Sequence, residues 1–272
     1  MEREIYENYV AILHGELVPA LGCTEPIAIA YASALGRKVL GREAERMDVA
    51  CSGNIIKNVK SVIVPNSGRQ YGVETAAILG MLHGDPDLGL EVLQTVTEED
   101  RRRAVELKAQ HVCTCSLIEG DENLHIIVTL RAGSDVVEVE TRTAHTHVVR
   151  VAKNGVALFT QNDCGKSACT DKNLLNTRDI LRFADAVDLD DVAEVLERQI
   201  KYNSAISKEG LDKLYGVGIG RMLLRHGDPS DTRLRAKAAA AAGSDARMSG
   251  CDLPVVINSG SGNQGMTVST PI

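Results

Sequence analysis

Tryptophan is absent from the 272 residues and phenylalanine occurs only twice. A core without large aromatics has to be built from Ala, Leu, Ile and Val, which suits closely packed helices. The same scarcity removes the aromatic platforms on which single-stranded nucleic acid stacks. A net charge of −7 supplies no basic face for a phosphate backbone. No apolar run approaches the roughly 18–20 residues of a membrane span, and Met1-Glu2-Arg3-Glu4 does not read as a signal peptide. A cytoplasmic protein is therefore expected, with small-molecule or protein partners and neither nucleic acid nor membrane. Its seven cysteines are an odd number and read as packing residues or ligands, not as a disulfide framework. What remains, 44% apolar and 25% charged residues, is the composition of a globular chain long enough for one large or two ordinary domains.

Apolar residues Ile5, Tyr9, Ile12, Leu13 and Leu17 recur at helical spacing in 2–19, and 24–40 is an Ala-rich helix. In 47–65, Val49, Ile55, Val59, Val62, Ile63 and Val64 between Ser52-Gly53 and Pro65 predict short strands around a turn. Helices follow at 72–83 and 97–109. From 111 to 160, β-branched runs at 125–130, 136–141, 148–152 and 156–159 predict an antiparallel meander. Helices return at 180–186, 192–202, 210–224 and 232–242. The expected class is α+β: a discontinuous helical domain, residues 1–45 and 171–272, interrupted by an α/β insert, residues 46–170, with an antiparallel sheet.

Two polar signatures stand at opposite ends. Leu21-Gly22-Cys23-Thr24-Glu25-Pro26 opens a helix, so Cys23 faces the positive end of a helix dipole, a placement that favours a thiolate. The bland reading of Cys23 is a packing cysteine. Asn258-Ser259-Gly260-Ser261-Gly262-Asn263-Gln264-Gly265 suits a loop whose backbone and side-chain amides converge on a small anion such as a carboxylate, and equally a plain turn.

Together with Cys51-Ser52-Gly53-Asn54-Ile55-Ile56-Lys57-Asn58 and Ser244-Asp245-Ala246-Arg247-Met248-Ser249-Gly250-Cys251, these signatures resemble the cysteine desulfidase family. That family is a relative of the iron–sulfur L-serine dehydratase alpha chain. The resemblance implies β-elimination of L-cysteine to pyruvate, ammonia and hydrogen sulfide, with L-serine as the alternative substrate. It implies a [4Fe–4S] cluster whose open iron acts as a Lewis acid, with Cys23 as one ligand. It also implies that Asn258, Ser259, Ser261, Asn263 and Gln264 bind the substrate's carboxylate and amino groups, Ser259 and Ser261 being catalytic candidates. Family members continue past the equivalent of Pro271 through helices with two further cysteines. The cluster is accordingly expected in the complete enzyme and not in this chain alone. The alternative is a catalytically silent fragment, a binding or scaffold domain, or one subunit of a split enzyme, partnered by its own copies or by a second chain that supplies the missing helices.

Lys57, in its Ser-Gly-Asn-x-x-Lys setting, is the candidate for charge stabilisation or proton transfer, with Asn54 beside it as a substrate contact. Lysines in such places are more often solvated. Arg247 is either a surface charge or a partner for the substrate carboxylate. His111, Cys113 and Cys115 alternate, as do His145 and His147, which on strands allows a transition-metal face. The spacing has no closed four-ligand pattern, and alternating residues also line cores. Asp163-Cys164-Gly165-Lys166-Ser167 is no phosphate loop, because Thr160 stands where the first glycine is needed. Cys164 and Cys169 read as packing or near-site cysteines.

Overall fold

A computed structural model of the chain describes residues 1–60, 62–120, 122–161, 170–228 and 230–272. Helix α1 (Arg3–Glu16) leads through the three-residue strand β1 (Pro19–Leu21) into α2 (Thr24–Leu40). In α2 Ile27, Ala28, Ile29, Ala30, Ala32 and Ala34 have no exposed surface. A helix apolar on so many sides belongs in an interior, and α2 runs between the main sheet and helix α4 (Val73–His83). The α2–α4 crossing is close enough to demand glycine: a Cβ on Gly80 would stand 2.2 Å from the Ala30 carbonyl oxygen.

After α2 come β2 (Arg46–Ser52), α3 (Gly53–Lys60), α4, α5 (Glu98–Ala109) and β3 (Cys113–Ile118). The meander follows as β4 (His125–Ala132), β5 (Asp135–Arg142), β6 (Val148–Lys153) and β7 (Val156–Thr160). The six strands lie in the order β3-β2-β4-β5-β6-β7. β2 pairs with β3 in parallel, and every other neighbour in this sheet is antiparallel. One sheet face packs on α2. Along β4, Ile126, Val128, Leu130 and Ala132 alternate inward with no exposed surface, the period-two pattern of a half-buried strand.

The remaining elements are α6 (Thr177–Ala186), α7 (Leu189–Asp212), α8 (Ile219–His226), α9 (Thr232–Met248), β8 (Pro254–Val256) and α10 (Gly262–Ser269). α7 packs on α9 and β8, and α10 lies against α7 and α9. One core cluster runs without interruption from Ala20 to Met266, so the sheet layer and the helical layer share it. Three aromatics form a separate pin, with the Tyr6 and Tyr9 rings 5.5 and 5.4 Å from Phe183, fastening α1 to α6.

The α+β class and the antiparallel meander stand as expected. The strands expected across 47–65 do not all form, because after β2 the chain turns into α3, where Ile55 and Val59 are buried four residues apart, a helical period. The helix expected over 210–224 is broken: α7 runs to Asp212 and α8 starts at Ile219, with Gly216 and Gly218 between them at positive φ. His145 and His147 lie in the turn between β5 and β6 and not on a strand, while His111 sits in a turn at φ 55°. Among the described residues no group of three His, Cys, Asp or Glu side chains is placed to hold a metal ion. The Asp163–Ser167 segment, Cys164 and Cys169 lie outside the described residues.

Candidate active site

The β1–β8 ribbon ties the two ends of the chain together. Pro19 pairs with Val256, Ala20 with Val255 and Leu21 with Pro254, and the Ile257 amide donates to the Val18 carbonyl at 3.0 Å. From this ribbon one strand runs through Gly22 and Cys23 into α2, and the other into a turn at Asn258–Ser261 and then α10. The turn is closed by reciprocal backbone bonds between Asn258 and Ser261, and the Ser261 hydroxyl accepts from the Gln264 amide to cap α10.

Cys23 is buried at the N-cap of α2, but its thiol does not cap the helix. Sγ donates to Glu25 Oε2 at 2.9 Å, and Asn58 Nδ2, from α3, donates to Glu25 Oε1 at 3.1 Å. Both carboxylate oxygens are therefore engaged. Burial alone would raise the Glu25 carboxyl, yet hydrogen bonds from Cys23, its own amide and Asn58, with the charge of His145, hold it below the ordinary carboxylate value.

Arg247 comes from the last turn of α9 and is 4% exposed. Its Nη1 donates to Asn263 Oδ1 at 3.0 Å, on the first turn of α10, and its Nε is buried without a partner. The guanidinium lies directly against Gly262, where a Cβ would stand 2.3 Å from Nε. Among the described residues no carboxylate comes within the 4.0 Å of an ion pair. Burial lowers the pKa of Arg247, and the charges of Cys23 and Glu25 oppose that shift. The side chain stays cationic, as guanidinium groups in proteins do.

His145, partly buried on the β5–β6 turn, closes the group. Its Cε1 lies 3.9 Å from the position that a Cβ on Gly260 would take. Burial lowers its pKa, Glu25 raises it and Arg247 lowers it again, for a net shift below 6.5. A buried cation, a carboxylate, a thiol and a neutral imidazole thus converge from α2, α9 and the β5–β6 turn.

The surroundings of Cys23 oppose the thiolate expected there. Burial pushes its thiol up to about 12, Glu25 adds to the effect, and Arg247 only partly offsets it. The helix-terminus field is outweighed because the thiol is dry and donates to an anion. Asn263 and Arg247 are brought together with Cys23 as members of one charged group. Asn258 and Ser259 stand in the turn, the Ser259 hydroxyl donating to Asn258 Oδ1 at 3.0 Å, and Ser261 serves as the α10 cap. Gln264 is exposed on the first turn of α10. Lys57 and Asn54 are exposed on α3, Asn54 donating to the Asn123 carbonyl at 3.4 Å. Glu25 and Asn58 are not among the site residues expected from sequence, and His145 is expected only as one of a possible metal face. The first two lay in plain view inside the quoted motifs, whereas His145 has no sequence signal beyond its alternation with His147.

The [4Fe–4S] cluster implied by the resemblance needs three or four thiolates. Among the described residues Cys23 is the single thiol in this group, and Cys251, also buried, turns instead toward the Tyr215 hydroxyl. The described residues therefore do not build a cluster site. In a cleft of 650 Å³ beside the end of α2, Lys38 is paired with Asp87 at 2.8 Å and Arg37 donates to the Leu82 and Gly84 carbonyls.

Comparison with known proteins gives these features a family. A UPF0597 protein of Lachnoclostridium phytofermentans is 51% identical over 98% of this chain and 64% of its own length. Those of Desulfitobacterium hafniense and Treponema denticola are 45% and 43% identical over the whole chain, which covers 64% and 65% of them. The chain thus spans a little under two thirds of the curated relatives it matches. No solved structure matches it. Among the described residues no helix is long and apolar enough to cross a membrane. The serine dehydratase alpha chain family matches residues 87–272, a stretch that holds His145, Arg247 and the α10 turn, and the chain belongs to that family.

Proposed function

We propose that this chain is the amino-acid-binding and proton-handling part of a β-eliminating lyase, with L-cysteine as the preferred substrate and L-serine as the second. The observation that carries the reading is Arg247. A buried guanidinium with an unpartnered Nε and, among the described residues, no carboxylate in ion-pair range costs several kcal/mol unless an anion is brought to it. A substrate carboxylate meets that need. The first turn of α10 adds amide groups and the positive end of a helix dipole on the same side.

With the carboxylate on Arg247, the Cα–H faces a group that can hold a proton, and the β-substituent is left to depart. Elimination gives 2-aminoacrylate, which water converts to pyruvate and ammonium; the sulfur of cysteine leaves as hydrosulfide. Cysteine is placed before serine because Gly22-Cys23-Thr24-Glu25-Pro26 resembles the desulfidase branch. The four-iron cluster of that branch would have to draw its further thiolates from beyond the described residues, so the chemistry assigned to this chain is binding and proton handling alone.

The test is pyruvate release from L-cysteine and L-serine, with sulfide from the former, after anaerobic supply of iron and sulfide. It is run with the chain alone and with the chain fused to the segment by which the Lachnoclostridium phytofermentans relative exceeds it. The fused protein is expected to release pyruvate, and Arg247→Gln to lower kcat/KM by about 10–100-fold, the loss of one charged hydrogen-bonding partner. A fused protein that eliminates nothing from either amino acid would contradict the reading.

A further inference from the structure

The proton-handling group has three candidates, and geometry separates them. Lys57 is exposed on α3. Glu25 has both oxygens occupied, by Cys23 and Asn58. His145 is different. The chain has seven histidines. His14, His125 and His147 each spend a ring nitrogen on a fixed partner: the Asp191 carbonyl, Glu140 and the Arg142 carbonyl. His83 stands beside Asp100 at 3.4 Å, and His111 and His226 are exposed. Among the described residues no hydrogen bond engages the ring of His145, although it is drawn into the one group where Glu25, Arg247 and the Gly260 turn meet.

Resting on the function proposed above, we propose that His145 is the catalytic proton acceptor, taking the Cα proton of the amino acid whose carboxylate Arg247 holds. A ring nitrogen of His145 forms the new N–H bond. The electron pair of the broken Cα–H bond becomes the Cα=Cβ bond, and the Cβ–S bond breaks with its pair going to sulfur. The step is redox-neutral, and the proton on the imidazolium is returned to solvent or to the departing group. Several features of the surroundings suit the task. Burial and Arg247 keep the free imidazole unprotonated, hence able to accept. Glu25, its oxygens already fixed, offers a negative charge that stabilises the imidazolium once formed. The position on a turn at the end of a β-hairpin, and not on a helix, gives the ring an anchor independent of the elements that carry Cys23 and Arg247.

The probe is L-alanine, which has the carboxylate, amine and Cα–H but no leaving group. Its binding to the full chain is measured by calorimetry, and its Cα–H exchange in D2O by proton NMR. The unaltered chain is expected to bind and to exchange. His145→Gln and His145→Asn are expected to bind within about threefold of the parent while exchange falls by about 10²–10⁴-fold, the usual contribution of a general base. Added imidazole is expected to restore part of the exchange in His145→Ala, a rescue that a purely structural role would not give. Undiminished exchange in both amide variants with binding intact would overturn this proposal and leave the function standing. Binding without exchange in the unaltered chain would do the same. Failure of the unaltered chain to bind L-alanine or L-cysteine would overturn the function, and this proposal with it.

Discussion

Arg247 and His145 show how burial sets the roles of single residues. The same dry surroundings that leave a guanidinium in want of an anion keep an imidazole neutral and a thiol protonated. This has a consequence for stability. In the unfolded chain His145 takes up its proton around its ordinary 6.5, whereas the folded chain resists until a lower pH. Below 6.5 the unfolded state therefore binds more protons, and stability falls as pH falls, by no more than about 1.4 kcal/mol per pH unit. Above 6.5 the group contributes no slope. Urea midpoints at pH 7.5 and 5.5 should drop more for the parent than for His145→Gln; equal drops would show that the imidazole is not held neutral. At this scale the sequence was only half legible. Arg247, Asn263 and Cys23 stand in motifs that mark them, but the motif around Cys23 carries no sign of the burial that raises its thiol. A dipole can be inferred from helix-start residues, while dryness and a neighbouring carboxylate are known only once α3 and α9 are packed around the thiol.

Elements were legible where a period is sustained over several residues. The α2 and α4 helices follow from apolar runs because they are buried nearly all round, and β4–β6 from alternation because each buries one face, whereas β7 is exposed along its length and α5, which buries only Ala104, is marked by its cap. The failures share a cause. β1 and β8 are three residues each, too short to display a period, yet they are what joins the two ends of the chain. Within 53–60 two buried residues four apart were read among β-branched neighbours as strand, and tertiary contact decided for helix. α5 offers a clean check on element-scale reasoning. Its Thr97 and Asp100 form a reciprocal cap, the Thr97 amide donating to Asp100 Oδ2 at 2.8 Å and the Asp100 amide to Thr97 Oγ1 at 3.3 Å. Thr97→Ala should lower the unfolding free energy by about 1 kcal/mol in urea titration, within the range of about 0.5–2 found for such caps. It should leave amino-acid binding untouched, since α5 packs on α4 and supplies no residue of the buried group. A change in affinity would mean that α4 transmits strain to α2.

On the scale of the whole molecule, one continuous core lets the sheet layer and the helical layer hold a site that neither contains by itself. Cys23 and Glu25 come from the start of the chain, His145 from the sheet, and Arg247 and Asn263 from its last helices. Sequence separation hid this assembly; the β1–β8 ribbon creates it. The central claim is that the assembled group binds an amino acid through its carboxylate, on Arg247. Calorimetric titration of the full chain with L-cysteine and with cysteamine, which differs by lacking that carboxylate, tests it most directly. The account predicts that L-cysteine binds about 10–100-fold more tightly than cysteamine and that Arg247→Gln erases the difference. Equal affinity of the unaltered chain for the two ligands would contradict it.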